Sequence, residues 1–209
     1  MGKAPQKDSR EIVAMFGKLS GHYDRMNAVM SFGMHQRWRL NAASDLAARA
    51  TSPVSLLDYG AGTGDFARAV LRYIPSLCEV VLQDGSEEML ALARRKLAAE
   101  CGRRKVDFVK AEALALPFAN DSFDLVTAGF ILRNVPDLEE SLKEIARVLR
   151  PGGLLAVVEA FRERGVLAVP VRFYKRYGIP LVARLLVGQT SAFQYLNESI
   201  DGLMAPEKL

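Results

Sequence analysis

Histidine, cysteine and tryptophan are scarce in this chain of 209 residues, with two, two and one copies. The two cysteines, Cys78 and Cys101, have no metal-ligand spacing. They read as the incidental thiols of a reduced cytoplasmic protein. No metal is expected. No basic run with interleaved aromatics occurs, and 28 Lys and Arg against 24 Asp and Glu leave a net charge of only +4. Nucleic acid is therefore not an expected partner. Residues 1–8 are short and polar, without the apolar core of an export signal. No long uninterrupted apolar run is present either. The most apolar stretch, Gly165 to Gly188, carries Arg172, Lys175, Arg176 and Arg184 and two prolines, which argues against a membrane-spanning helix. It reads as helices covering a sheet or as a segment lying on a membrane surface.

Half the residues are hydrophobic, enough for one core, and the length fits one domain. Residues 9–50 read as a helical lid, 54–161 as an α/β core and 162–209 as a substrate cover and tail. Repeats and low-complexity tracts are absent. On the lid, Trp38, Ala42 and Leu46 are expected on one helical face. Five strands are expected, at Val54–Tyr59, Glu79–Asp84, Val106–Lys110, Phe123–Ala128 and Leu154–Val158. Helical segments alternate with them, so the sheet should be parallel. Asp137, with Glu140 three residues on, reads as the cap of the last core helix, and Leu138, Leu142, Ile145 and Leu149 as its apolar stripe. Arg150-Pro151-Gly152-Gly153 reads as the stop between that helix and the fifth strand.

The most informative stretch is LLDYGAGTGD, Leu56 to Asp65. It describes a buried strand, a glycine turn and a helix start. Asp84 follows about twenty residues on, at the end of the next strand, as in Rossmann-type nucleoside sites. Gly60, Gly62 and Gly64 allow the backbone to approach a ligand. Asp84, with Gly85 beside it, would accept from ribose hydroxyls. Asp58 and Asp65, flanking the turn, would repel a pyrophosphate and suit an ammonium and a sulfonium, which points to S-adenosylmethionine. Glu112 is placed to accept from an adenine amino group, with the Ala113 backbone N–H facing a ring nitrogen.

Further segments carry a resemblance. These are Tyr23-Asp24-Arg25-Met26-Asn27, then Ser31-Phe32-Gly33-Met34-His35 with Trp38-Arg39, then Leu116-Pro117-Phe118 with Ser122-Phe123-Asp124. Arg133-Asn134-Val135, Arg147 to Gly153 and Tyr195 to Ile200 complete the set. Over about Met15 to Ile200 the chain resembles the ubiquinone/menaquinone biosynthesis C-methyltransferases. The resemblance implies a class I methyltransferase fold of sheet order 3-2-1-4-5 with helices on both faces. It also implies S-adenosylmethionine as donor and a prenylated quinol methylated on ring carbon. Arg133 and Asn134 then sit by the substrate, with Tyr23 and Asn27 bonding the quinol oxygens from the lid. Ile131 stands where the family usually has glycine and would narrow the quinol pocket. His35 is weighed as an acid or base against a packed structural residue. Two alternatives stay open: another small hydrophobic acceptor, or a non-catalytic cofactor-binding relative serving as a partner subunit.

The family continues past the Tyr195–Ile200 segment into a further helix and a terminal hairpin, which these 209 residues do not include. The fifth strand should therefore be an edge, covered by residues 162–209 or by a second copy of the chain. A cytoplasmic protein is expected, peripheral on the inner face of the membrane where its lipid-tailed substrate resides.

Overall fold

The computed structural model describes residues 24, 25, 27, 28, 31, 33–159, 174 and 178. Expectations for the rest of the lid, for Tyr23 and for nearly all of 160–209 lie outside the described residues.

The core is one five-stranded parallel sheet of β1 (Ser55–Tyr59), β2 (Glu79–Asp84), β3 (Lys105–Lys110), β4 (Phe123–Gly129) and β5 (Leu149–Val158). Their order is β3-β2-β1-β4-β5, as expected. All five residues of β1 are buried, because this strand is central and covered on both faces. Successive side chains point to opposite faces. Leu56, Val80, Leu82 and Leu125 therefore join one apolar layer with Phe66 and Val70, while Leu57, Val81 and Val126 join a second with Ile145 and Val148.

Five described helices accompany the sheet: α1 (Met34–Arg49), α2 (Asp65–Tyr73), α3 (Glu87–Lys96), the single turn α4 (Ala98–Cys101) and α5 (Leu138–Val148). Local chemistry explains two of the starts. Ser86 accepts from the Met89 N–H at the head of α3, and Asp137 accepts from the Glu140 N–H at the head of α5. These side-chain acceptors satisfy amide donors that the first turn of a helix leaves over.

Two boundaries and one face differ from expectation. α5 ends at Val148 and β5 begins at once at Leu149, pairing with Phe123. The register then slips between Phe123 and Leu125, so Pro151 and Gly152 bulge outward instead of terminating an element, with Gly152 at φ 79°. On α1 the buried residues are His35, Arg39, Ala43 and Leu46, whereas Trp38 is 37 % exposed. The helix is turned about one residue from the Trp38–Ala42–Leu46 reading, because it buries two basic side chains that hydropathy assigns to water. No helix among the described residues is long and apolar enough to cross a membrane.

Candidate active site

The glycine turn leaves the carboxyl end of β1 with Gly60, Gly62 and Gly64 at φ of 62°, 55° and 80°, the left-handed region that favours glycine. Space excludes side chains here as well. A Cβ on Gly64 would stand 2.7 Å from Leu97 Cδ1, and one on Gly60 would stand 2.4 Å from Ile131 Cγ1. Ile131 thus packs on the first glycine of the turn, and it joins the loop after β4 to the donor side of the site.

Asp84, at the end of β2, reaches back to the turn. Its Oδ2 accepts from the Gly62 N–H at 2.8 Å and its Oδ1 from the Ser86 N–H at 2.9 Å. Burial pushes its pKa up, against those backbone hydrogen bonds and one from Gly85. The carboxylate is only partly buried and keeps lone pairs for a ligand. Its neighbour Gln83 is wholly inside. Gln83 Oε1 accepts from the Gly60 N–H at 3.1 Å, and Nε2 donates to the Ala111 carbonyl at 2.6 Å. Tyr59 does similar work on the other face. Its hydroxyl donates to the Ala113 carbonyl at 3.1 Å and lies 2.5 Å from Ser141 Oγ. Burial drives its pKa up to about 12. Glu112 and Ala113 are therefore carried on a loop tied to β1 and β2, with Glu112 exposed.

Neither acid flanking the turn acts as expected. Asp58 is buried, its Oδ2 accepting from the Ala67 N–H at 3.0 Å and its Oδ1 from Thr127 Oγ1 at 2.8 Å. Burial lifts its pKa to about 7, despite those bonds. It braces the first turn of α2 from within and has no open face toward a ligand. Asp65 pairs with Lys96 at 2.8 Å. One acid is thus buried and the other compensated, so neither presents an open negative charge that would repel a pyrophosphate. The identity of the donor rests on other grounds.

Lys96 also gathers residues that sequence reasoning missed. Its Nζ lies 2.6 Å from Asp24 Oδ2 and donates to Thr63 Oγ1 at 2.7 Å, while Thr63 Oγ1 donates to Asp24 Oδ1 at 2.9 Å. The segment before α1 is thereby fastened to the glycine turn. Asn27 lies on this segment, and its backbone carbonyl accepts from Ser31. A cavity of about 460 Å³ runs along α2, lined by Arg39, Asp65 and Lys96 beside the glycine turn and by Arg72 and Glu100 further along the helix.

A second cluster is built on Phe130, just past β4. Phe130 holds φ 61°, uncommon for a bulky residue, and its amide is fixed to the Val158 carbonyl at 2.8 Å. Trp38 tilts toward its ring at 6.3 Å. Arg133 sits 5.4 Å from the ring centroid and is ion-paired with Glu159, both side chains nearly inaccessible. Asn134 Nδ2 donates to the Phe130 carbonyl at 3.1 Å. The structure therefore places Ile131, Arg133 and Asn134 together at the carboxyl edge of β4 and β5. His35 is 3 % exposed, with Nδ1 2.8 Å from Ser31 Oγ and its pKa lowered by burial and then by Arg39, a packed residue rather than an acid or base facing the site.

A model of the ubiE/COQ5 methyltransferase family matches residues 3–208. The chain belongs to that family. It is accordingly an S-adenosylmethionine-dependent methyltransferase. Over 93 % of its length it is 41 % identical to the demethylmenaquinone methyltransferase of Thermus thermophilus, covering 87 % of that protein. A ubiquinone/menaquinone biosynthesis C-methyltransferase UbiE from Hydrogenovibrio crunogenus is 37 % identical, with 91 % of this chain and 75 % of that protein aligned. Among solved structures, a SAM-dependent methyltransferase from Thermotoga maritima superposes with TM-score 0.54 at 27 % identity, over 79 % of this chain and 70 % of that one. The plantazolicin methyltransferase BpumL, in complex with SAH, has TM-score 0.61 at 14 % identity over 97 % and 74 %, a likeness of fold alone.

With family membership in hand, several signature residues acquire structural roles. Arg147 donates to the Leu116 and Phe118 carbonyls and pairs with Glu144, pinning the Leu116–Phe118 loop to α5. Asp124 accepts from the Val54 and Ser55 amides and from Arg150, clasping the start of β1. These residues hold the framework, whereas Arg133 and Asn134 lie just past β4 and the glycine turn just past β1, at the carboxyl ends of the strands.

Proposed function

We propose that this chain methylates a ring carbon of a prenylated quinol, demethylmenaquinol or a ubiquinol precursor, in respiratory quinone biosynthesis. The observation that carries the reading is the buried Arg133–Glu159 pair beside Phe130, one loop from the glycine turn. The relatives named as demethylmenaquinone methyltransferases support the acceptor class.

The donor side consists of Gly60, Gly62, Gly64, Asp84, Gly85, Glu112 and Ala113. Asp58 belongs to it as the internal brace of the turn. When bound, S-adenosylmethionine supplies a sulfonium methyl open to in-line attack. The chain must then do three things. It holds acceptor and donor in contact, excludes water, and stabilises the phenolate whose charge makes the ortho carbon nucleophilic. Arg133 serves the third task, since a preorganised cation in a dry site lowers the energy of developing negative charge. A guanidinium does not act as a base, so the ring proton leaves through water ordered by Arg133 and Asn134. Tyr23, outside the described residues, and Asn27 bond the quinol oxygens in this reading.

Met34 and Trp38 are 48 % and 37 % exposed one turn apart on α1, an apolar pair that supports peripheral contact with a membrane. Leu155 and Val157 are also exposed, on the edge strand β5, which favours a second copy of the chain pairing there. Deleting the gene and analysing quinones by mass spectrometry tests the function. A demethylated quinone, lighter by one CH₂ unit, should accumulate. An unchanged quinone pool counts against the reading.

A further inference from the structure

Arg39, a residue only 6 % exposed, carries a guanidinium whose buried Nε and Nη1 have no hydrogen-bond partner among the described residues. Burying a charge is expensive unless it is paired. The acids beside it bond elsewhere: Asp58, on which the Arg39 charge acts, accepts from Ala67 and Thr127, and Asp65 pairs with Lys96. The stacking of Arg39 on Phe130, 4.9 Å from the centroid, offsets only part of the cost and leaves the in-plane N–H groups unused. The guanidinium therefore has the form of an anion site awaiting its anion.

Its position says which anion. Arg39 Nε lies 3.7 Å from where a Cβ on Gly129 would be, at the carboxyl end of β4. β4 adjoins β1 on one side, and β2, which ends in Asp84, adjoins it on the other. A nucleoside whose ribose is held by Asp84 and whose chain crosses the glycine turn brings its far end to β4. The donor carries one anionic group, the carboxylate of its amino-acid end. We propose that Arg39 binds that carboxylate, with the Phe130 ring holding the guanidinium plane in place. The assignment rests on the chain's dependence on S-adenosylmethionine. A planar fork of N–H donors suits a carboxylate better than any other group the donor offers.

Calorimetry with the full chain tests this without turnover, using S-adenosylmethionine and its decarboxylated form, which keeps the sulfonium and ammonium. Arg39→Met removes the donors and keeps the stem. It should weaken S-adenosylmethionine binding about tenfold or more, the scale of a hydrogen bond to a charged group. Binding of decarboxylated S-adenosylmethionine should stay within about twofold of wild type on the same reasoning. Arg39→Lys, which keeps a cation, should restore part of the discrimination, and it stands in if Arg39→Met does not fold. Equal losses for both donors would make Arg39 a packing residue and overturn the proposal. So would unchanged S-adenosylmethionine affinity with a raised KM for the quinol, which moves the guanidinium to the acceptor. Binding of 5′-methylthioadenosine to the wild type reports the nucleoside site alone, and its absence would count against the donor reading itself.

Discussion

Lys96, the last residue of α3, holds Asp24, which precedes α1, with Nζ 2.6 Å from Oδ2. The same ammonium meets Asp65 and Thr63, so a single cation fastens the segment before α1 to the glycine turn. An isolated exposed pair adds little stability, but a shared cation in a network fixes geometry.

Lys96→Met should therefore cost global stability only about 1 kcal/mol or less. Its effect should be local, with faster amide exchange over residues 24–33 and unchanged exchange in β1 and β4. Identical exchange before α1 in the two proteins would mean this segment is held by other contacts.

Asp84→Ala should abolish most donor binding, since each hydrogen bond from a ribose hydroxyl to a charged acceptor is worth about 1.5–3 kcal/mol. It also releases the Gly62 N–H. Asp84→Asn keeps an acceptor for one of these donors and should lose less. Calorimetric affinity within twofold of wild type for the alanine variant would remove Asp84 from the site.

Arg133→Ala combines two effects. Removing this cation from the buried Glu159 should destabilise the fold by about 1.5–3 kcal/mol, the scale of a hydrogen bond to a charged group. Arg133→Lys keeps a charge near Glu159 and should fold better. It should still lose turnover, by about 10²–10³ if the guanidinium stabilises the phenolate, while donor affinity changes little. Matching losses of donor affinity and rate in the lysine variant would assign Arg133 to the donor or to the scaffold.

Asp58 gives the protein a pH signature. Its folded pKa is raised from 3.8 to about 7, so below pH 4 both folded and unfolded states hold the proton and the group is neutral in the balance. As pH rises toward 7 the unfolded chain ionises first, and this site's contribution to stability falls. Asp58→Asn removes that titration. Denaturant unfolding of the two proteins should diverge in favour of the variant between about pH 4 and 7. Parallel curves would show that Asp58 titrates normally.

Much of this was legible in local sequence. The glycine turn followed by Asp84 announced the first two strands and their meeting at the turn, and Asp137 with Glu140 announced the start of α5, because the interacting groups are close in sequence or fixed by one βα unit. Partners far apart in the chain were not legible. Gln83 bridging Gly60 and Ala111, Thr127 bonding Asp58, and Lys96 meeting Asp24 depend on the assembled sheet and helices. The Arg150–Gly153 segment misled because proline and glycine read as a stop, whereas here they form a bulge inside β5. The buried face of α1 misled because Arg39 and His35 sit where hydropathy expects aliphatic residues.

The contact between Ile131 and Gly60 makes the two positions historically dependent on each other. A methyl group at 60 collides with Ile131, and the left-handed backbone adds its own penalty of roughly 1 kcal/mol. The Cβ of residue 131 itself would stand 2.7 Å from the added carbon, so only glycine at 131 would lift the collision and leave only the backbone cost. Drift at Gly60 is therefore closed while Ile131 is present and opens once position 131 has become glycine, so the order of the two substitutions, and not only their sum, decides which variants a descendant lineage can reach.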